Sequence, residues 1–101
     1  MTTVRTLSAL DGEPHTRVFP NAEPKTIRLT LAADEEIPAH THPDREIVLY
    51  LVTGKLELRV GEETNMVEAG DIARFGGDKA ISPRAIEPST ALIVLAPAES
   101  E

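Results

Sequence analysis

Hydrophobic and polar residues alternate along most of this chain, in short segments bounded by glycine, proline and aspartate. Ile27, Leu29 and Leu31 fall on one face of "TIRLTLAA", and "KLELRV" (residues 55–60) alternates in the same way. A period of two residues is that of a β-strand, and little of the chain follows a helical period. The pattern predicts an all-β domain of about eight to ten short strands, as in sandwiches and barrels.

Three segments add detail to this prediction. "IVLYLV" (residues 47–52) is apolar at every position, which predicts a strand buried on both faces. The following pair, Thr53-Gly54, predicts a tight turn that ends this strand. Pro83 makes "KAISPRAI" a poor strand, because proline cannot donate a hydrogen bond to a neighbouring strand.

Length and composition indicate one domain that spans residues 1–101, with its core at about residues 26–97. Hydrophobic residues make up 41% of the chain, which is enough for a globular core. The absence of cysteine excludes disulfides, thiolate nucleophiles and cysteine-ligated metals. A metal in this protein would therefore need histidine, carboxylate and water ligands.

The charge balance limits the partners that we expect. The formal net charge is -7, with 17 acidic and 10 basic residues, and such a surface repels nucleic-acid phosphates. We see neither a secretory signal nor an apolar stretch long enough to span a bilayer. We therefore expect a cytoplasmic protein that binds neither nucleic acid nor membrane.

The candidate chemistry lies in His40-x-His42-x-x-x-Glu46. On a strand the two histidines project from the same face, about 7 Å apart. A bend at Pro43-Asp44-Arg45 would return Glu46 to that side. Two histidines and one carboxylate are typical of non-haem iron and also suit Mn, Ni, Cu or Zn, with coordination positions left open. The alternative is a chance H-x-H at the end of a surface strand.

At these residues the chain resembles the first motif of the cupin family. His40, His42, Glu46 and Gly54 occupy the places of that motif's two histidines, glutamate and glycine. Seven residues separate Glu46 from Gly54, whereas the family pattern has six, and a bulge would account for the extra residue. The resemblance covers about residues 26–97 and implies a double-stranded β-helix, or jelly-roll barrel, of the small single-domain type.

The second motif of the family is degenerate in this chain. "GDIARFGGDKAI" opens as expected, but Gly76 and Asp78 replace the usual proline and glycine. Ile81 stands where the family has its third histidine ligand. Three interpretations remain open: a metal held by His40, His42 and Glu46 alone, a pocket that has lost its metal, or a ligand supplied from elsewhere in the chain.

Two further residues, His15 and Tyr50, are judged from their places in the sequence. His15 is the remaining histidine, and we expect it to be solvated or in a dimer contact rather than to be the missing ligand. Tyr50 shares strand parity with Glu46, so Tyr50 and Ile81 are the candidates to line the pocket; the alternative for Tyr50 is an aromatic residue of the core or rim.

The sequence thus leaves three functional hypotheses. The first is a cupin that binds a divalent transition metal and a small organic molecule, with oxygenase or isomerase chemistry if it is an enzyme. The second is a metal-free ligand-binding or regulatory cupin without catalytic activity. The third, a structural protein that has lost the site, is disfavoured by the two retained histidines. We also expect a homodimer, to which residues 1–25 contribute.

Overall fold

The computed structural model describes residues 2–98, which form β-strands with one short 3-10 turn at Leu7–Ala9. The strands are β1 (His15–Arg17), β2 (Lys25–Leu31), β3 (Arg45–Val60), β4 (Glu63–Glu68), β5 (Ile72–Gly76) and β6 (Ile81–Pro97). The all-β prediction is confirmed. No helix in residues 2–98 is long and apolar enough to cross a membrane.

Two strands are much longer than the sequence pattern predicted. β3 has 16 residues and β6 has 17, and the two pair antiparallel along almost their whole length. The predicted turn at Thr53-Gly54 is instead a region of shifted register within β3. Gly54 has φ 92°, and a Cβ there would overlap the Ser89 side chain and the Pro88 carbonyl. The glycine therefore bends the strand without ending it.

Pro83 lies inside β6, so the prediction of a poor strand there was wrong. It pairs with Leu58 of β3, while its carbonyl accepts a hydrogen bond from the Ile37 N–H at 3.0 Å. The N–H and C=O of one strand residue point to the same side. The missing N–H of Pro83 therefore faces the irregular segment around Ile37, and pairing with β3 is unaffected.

The strand order in the sheet is β1-β2-β6-β3-β4, and β5 pairs with β3 next to the first half of that strand. The core is aliphatic. Its largest fully buried side chains are Leu29, Leu31, Ile47, Leu49, Leu51, Leu56, Leu58 and Leu95. Residues 47–52 are not buried on both faces as predicted, because Tyr50 and Val52 lie exposed on the outer face of the sheet.

A buried arginine attaches the N-terminal segment to the barrel. The Arg28 guanidinium donates hydrogen bonds to the carbonyl oxygens of Leu7 (2.5 Å), Leu10 (3.0 Å) and Gly12 (2.8 Å). β1, which follows directly, is three residues long and, within residues 2–98, pairs with β2 alone. Arg28 thus supports the segment that carries β1.

Candidate functional site

The barrel contains a cavity of about 550 Å³, within the size range of small-molecule sites. Its wall is mainly aliphatic, with one aromatic ring and two prolines. These residues are Ile27, Leu29, Ile37, Pro38, Ala39, Ile47, Leu49, Leu58, Phe75, Ile81, Pro83, Ile93 and Leu95.

His40 and His42 lie together on the wall of this cavity. Their ring centroids are 4.8 Å apart and the rings are nearly perpendicular. The backbone of His40 pairs with that of Ile81 through two hydrogen bonds, of 3.1 and 2.8 Å. The N–H of His42 donates to the Gly77 carbonyl at 2.8 Å, and a Cβ at Gly77 would overlap the His42 backbone oxygen. Backbone contacts therefore hold both imidazoles in place.

One hydrogen bond sets the tautomer of His40. Its Nδ1 lies 2.9 Å from the Pro38 carbonyl oxygen. Because a carbonyl only accepts, Nδ1 must carry the proton, and in the neutral ring Nε2 keeps its lone pair. Nε2 is then available to accept a hydrogen bond or to bind a metal.

The pKa values of His15 and His42 are both lowered, chiefly because burial disfavours the charged imidazolium. The charge of His40, and then that of Lys25, lowers each pKa further. Both imidazoles are therefore neutral at pH 7. These three histidines and Lys25 all line the cavity.

Glu46 does not join the two histidines. It precedes Ile47, which is buried and lines the cavity, and successive strand residues point to opposite faces. Its carboxylate instead forms a 3.0 Å ion pair with Arg74 on β5. Among residues 2–98, no group of three histidine or carboxylate side chains is placed to hold a metal. The predicted three-ligand set is therefore not assembled in this structure.

The spacing to Gly54 explains this outcome. Six residues, the number in the family pattern, separate Gly54 from Ile47, and seven separate it from Glu46. The side chain that enters the cavity at the glutamate's place is thus Ile47. Ile47 and Ile81 thus put aliphatic side chains at two of the four places where the family pattern has three histidines and a glutamate.

The two residues predicted to line the pocket lie on different faces. Ile81 is 5% exposed and contributes to the cavity wall beside His40, its bridge partner. Tyr50 is 40% exposed and pairs with Ile72 of β5 on the outer face, so its predicted place in the pocket is corrected. Tyr50 lies on the same face of β3 as Glu46, as predicted, but that face points away from the cavity.

Three basic residues of the cavity were not predicted to belong to it. His15, expected to be solvated or in a dimer contact, is exposed and also lines the cavity from β1, as do Arg17 on the same strand and Lys25 on β2. His15 and Arg17 share strand parity, and Lys25 shares that of Ile27. Parity was the available signal, but it does not reveal which strand β1 pairs with.

Comparison with known proteins supports one fold family. Residues 27–95 match the sequence profile of the cupin domain. No curated protein matches the chain by sequence.

Solved structures resemble the whole chain. KdgF from a Halomonas species has a TM-score of 0.74 and 20% identity, covering 90% of this chain and 86% of its own. An RmlC-like cupin from Desulfovibrio desulfuricans has a TM-score of 0.76 and 21% identity, covering 98% and 99%. The cupin domain of an XRE-family transcriptional regulator from Enterobacter cloacae has a TM-score of 0.75 and 19% identity, covering 84% and 96%. The predicted double-stranded β-helix is confirmed, and at these identities the likeness concerns the fold alone.

Proposed function

Because the chain belongs to the cupin family, we propose that it uses the barrel of that family to bind a small organic molecule without a metal. The observation that carries this proposal is the aliphatic cavity of about 550 Å³, with Ile47 and Ile81 at two of the family's four ligand positions. Isoleucine contributes contact area to a ligand and cannot coordinate a metal. The proposal is one of binding, without a chemical step.

The donor set supports this choice. His15, His40 and His42 all line the cavity, but among residues 2–98 no three histidine or carboxylate side chains are placed to supply the three or four protein ligands usual for a divalent metal. Bringing Glu46 inward would require a one-residue register shift of β3, which would also turn Ile47 and Leu49 out of the core. The described residues therefore do not fit the metal of the family. Metal binding through His40, His42 and Glu46 stays a prediction.

The neutral fluorescent probe N-phenyl-1-naphthylamine tests the proposal. We expect saturable enhancement of its fluorescence with the wild-type protein in the presence of EDTA. Ile93→Trp fills the cavity and should abolish most of this signal, whereas Leu92→Trp, on the opposite face of the same strand, should retain it. Circular dichroism checks that both variants fold. No saturable binding to the wild type, or equal binding to the two variants, would overturn the proposal.

The metal hypothesis is tested on the same protein. After incubation with Fe, Mn, Ni, Cu or Zn and desalting, we expect less than stoichiometric metal in the wild type. Stoichiometric metal that is lost in both His42→Ala and Glu46→Gln would replace our proposal with the three-ligand prediction. Loss in His42→Ala alone would indicate a site of histidines and water.

We also propose that the protein is a homodimer. Tyr50 and Ile72, 40% and 69% exposed, are register partners on the outer face of the sheet. Burial of such adjacent apolar side chains favours association.

A further inference from the structure

The ionisable residues of the cavity wall are all of the basic type. They are His15, Arg17, Lys25, His40 and His42. Among the described residues that line the cavity, none is acidic, although the chain has 17 acidic and 10 basic residues. The cavity therefore combines an apolar wall with a basic group of residues in an otherwise acidic protein.

The pairing of β1 with β2 places the two permanent cations next to each other. Arg17 lies opposite Ile27 in the antiparallel register, and Lys25 is two residues before Ile27. Lys25 is thus the diagonal neighbour of Arg17 on the same face, within reach of long side chains. Arg17 is exposed and Lys25 half-buried, so both can meet a ligand that enters from solvent.

Protein carboxylates do not neutralise this pair. In residues 2–98, neither Arg17 nor Lys25 forms an ion pair. The charges of Arg17 and Lys25 act on Glu23, but the two carboxylate oxygens of Glu23 accept hydrogen bonds from Arg45, at 2.6 and 3.3 Å. Two cations beside an apolar cavity thus remain available to an anion.

We propose that the ligand is an amphipathic organic carboxylate, with its headgroup at Arg17 and Lys25 and its apolar body in the cavity. This inference rests on the proposed binding function and specifies the class of ligand. The planar guanidinium of Arg17 matches both oxygens of a carboxylate, and the ammonium of Lys25 adds a second donor. A single negative charge suits the site better than a dianion, because the adjoining wall is apolar.

Three probes with the same chain separate headgroup from body: octanoate, octan-1-ol and octylammonium. Titrations followed by ¹H–¹⁵N correlation spectra give each dissociation constant and show whether cavity residues respond. We expect octanoate to bind most tightly and octylammonium least tightly. The preference for octanoate over octanol should shrink as salt is added, because exposed charges are screened.

Matched variants assign the headgroup site. Arg17→Gln and Lys25→Gln should each weaken octanoate binding by about 3- to 10-fold and change octanol binding by less than about twofold. Arg17→Lys should restore part of the octanoate affinity. Arg59→Gln removes an exposed cation that does not line the cavity, and we expect it to leave the affinity for all three probes unchanged.

The outcomes separate this inference from the proposed function. If the naphthylamine probe does not bind saturably to the wild type, the binding function itself is wrong and this inference falls with it. If the naphthylamine binds but octanoate is bound no more tightly than octanol, only the carboxylate inference is wrong. Equal octanoate affinities for the Arg17→Gln, Lys25→Gln and Arg59→Gln variants would also overturn it.

Discussion

At the scale of single residues, a difference of one position along β3 decides which side chain enters the cavity. Ile47 points into the barrel, and Glu46, one residue earlier, pairs with Arg74 outside it. Ile81, the backbone bridge partner of His40, lines the same cavity. Aliphatic side chains thus share the cavity wall with the two imidazoles, and partial burial is the main cause that lowers the pKa of His42.

The lowered histidine pKa values predict a dependence of stability on pH. His15 and His42 have folded-state pKa values below the ordinary value of 6.5, so near that pH the unfolded chain binds more protons than the folded chain. Their stabilising effect is complete above the unfolded pKa and is lost as the pH falls toward the folded pKa. We expect urea unfolding with EDTA present to give a lower free energy of unfolding at pH 6.0 than at pH 7.5.

Removal of the two histidines provides the control. The pH-dependent difference should shrink in His42→Gln and shrink further when His15→Gln is added, whatever the absolute stability of each variant. A wild-type stability that is constant or rises from pH 7.5 to 6.0 would contradict the prediction.

At the scale of elements, the weakest part of the cavity wall is β1. It has three residues and a single neighbouring strand, yet it contributes His15 and Arg17. Isolated strand pairs of this length have little stability of their own. The bonds from Arg28 to the carbonyls that precede β1 therefore contribute to holding one side of the cavity in place.

We predict that Arg28→Met loosens this segment. The substitution retains an unbranched apolar stem but removes the three hydrogen bonds to backbone carbonyls. We expect a loss of about 2 kcal/mol in the free energy of unfolding, because hydrogen bonds from charged donors are stronger than neutral ones. Hydrogen exchange should increase in residues 7–17. The control variant Arg59→Met, at an exposed position, should leave both quantities unchanged. Unaltered exchange in residues 7–17 would show that Arg28 does not hold the segment.

At the scale of the whole molecule, charge and the apolar outer face act in opposite directions. Each chain has a formal net charge of -7, so two copies repel each other. The exposed pair of Tyr50 and Ile72 favours contact. The balance between these terms depends on ionic strength, because salt screens the repulsion and leaves the apolar contribution in place.

We therefore predict a homodimer whose dissociation constant falls as salt is raised from 50 to about 300 mM. Sedimentation equilibrium measures this constant directly. Ile72→Glu should raise the dissociation constant of the dimer by at least about 10-fold, because it places a charge in the contact. Thr64→Glu adds the same charge at an exposed position of β4 and should raise the dissociation constant less. A monomeric wild type at 0.1 mM and high salt would contradict the prediction.

Alternation and turn residues in the sequence were sufficient for the all-β class, since the period of two residues is a local property of the chain. The spacing of His40, His42 and Gly54 was sufficient for the fold family, and His40 and His42 do lie together, because residues two apart on an extended segment project to the same side. The lengths of the strands were harder to predict from the sequence. Gly54 and Pro83 were interpreted as interruptions, although β3 and β6 continue through both.

The sequence by itself determined the class of fold, the pair of imidazoles and the absence of a histidine at Ile81. Tertiary structure decided which face of β3 meets the cavity, and so that Ile47 enters it and Glu46 does not. It also decided that β1 pairs with β2, which brings His15 and Arg17 to the same wall. The physical reason is the same in both cases. Strand parity is local, but register and strand neighbours depend on contacts between residues far apart in the chain.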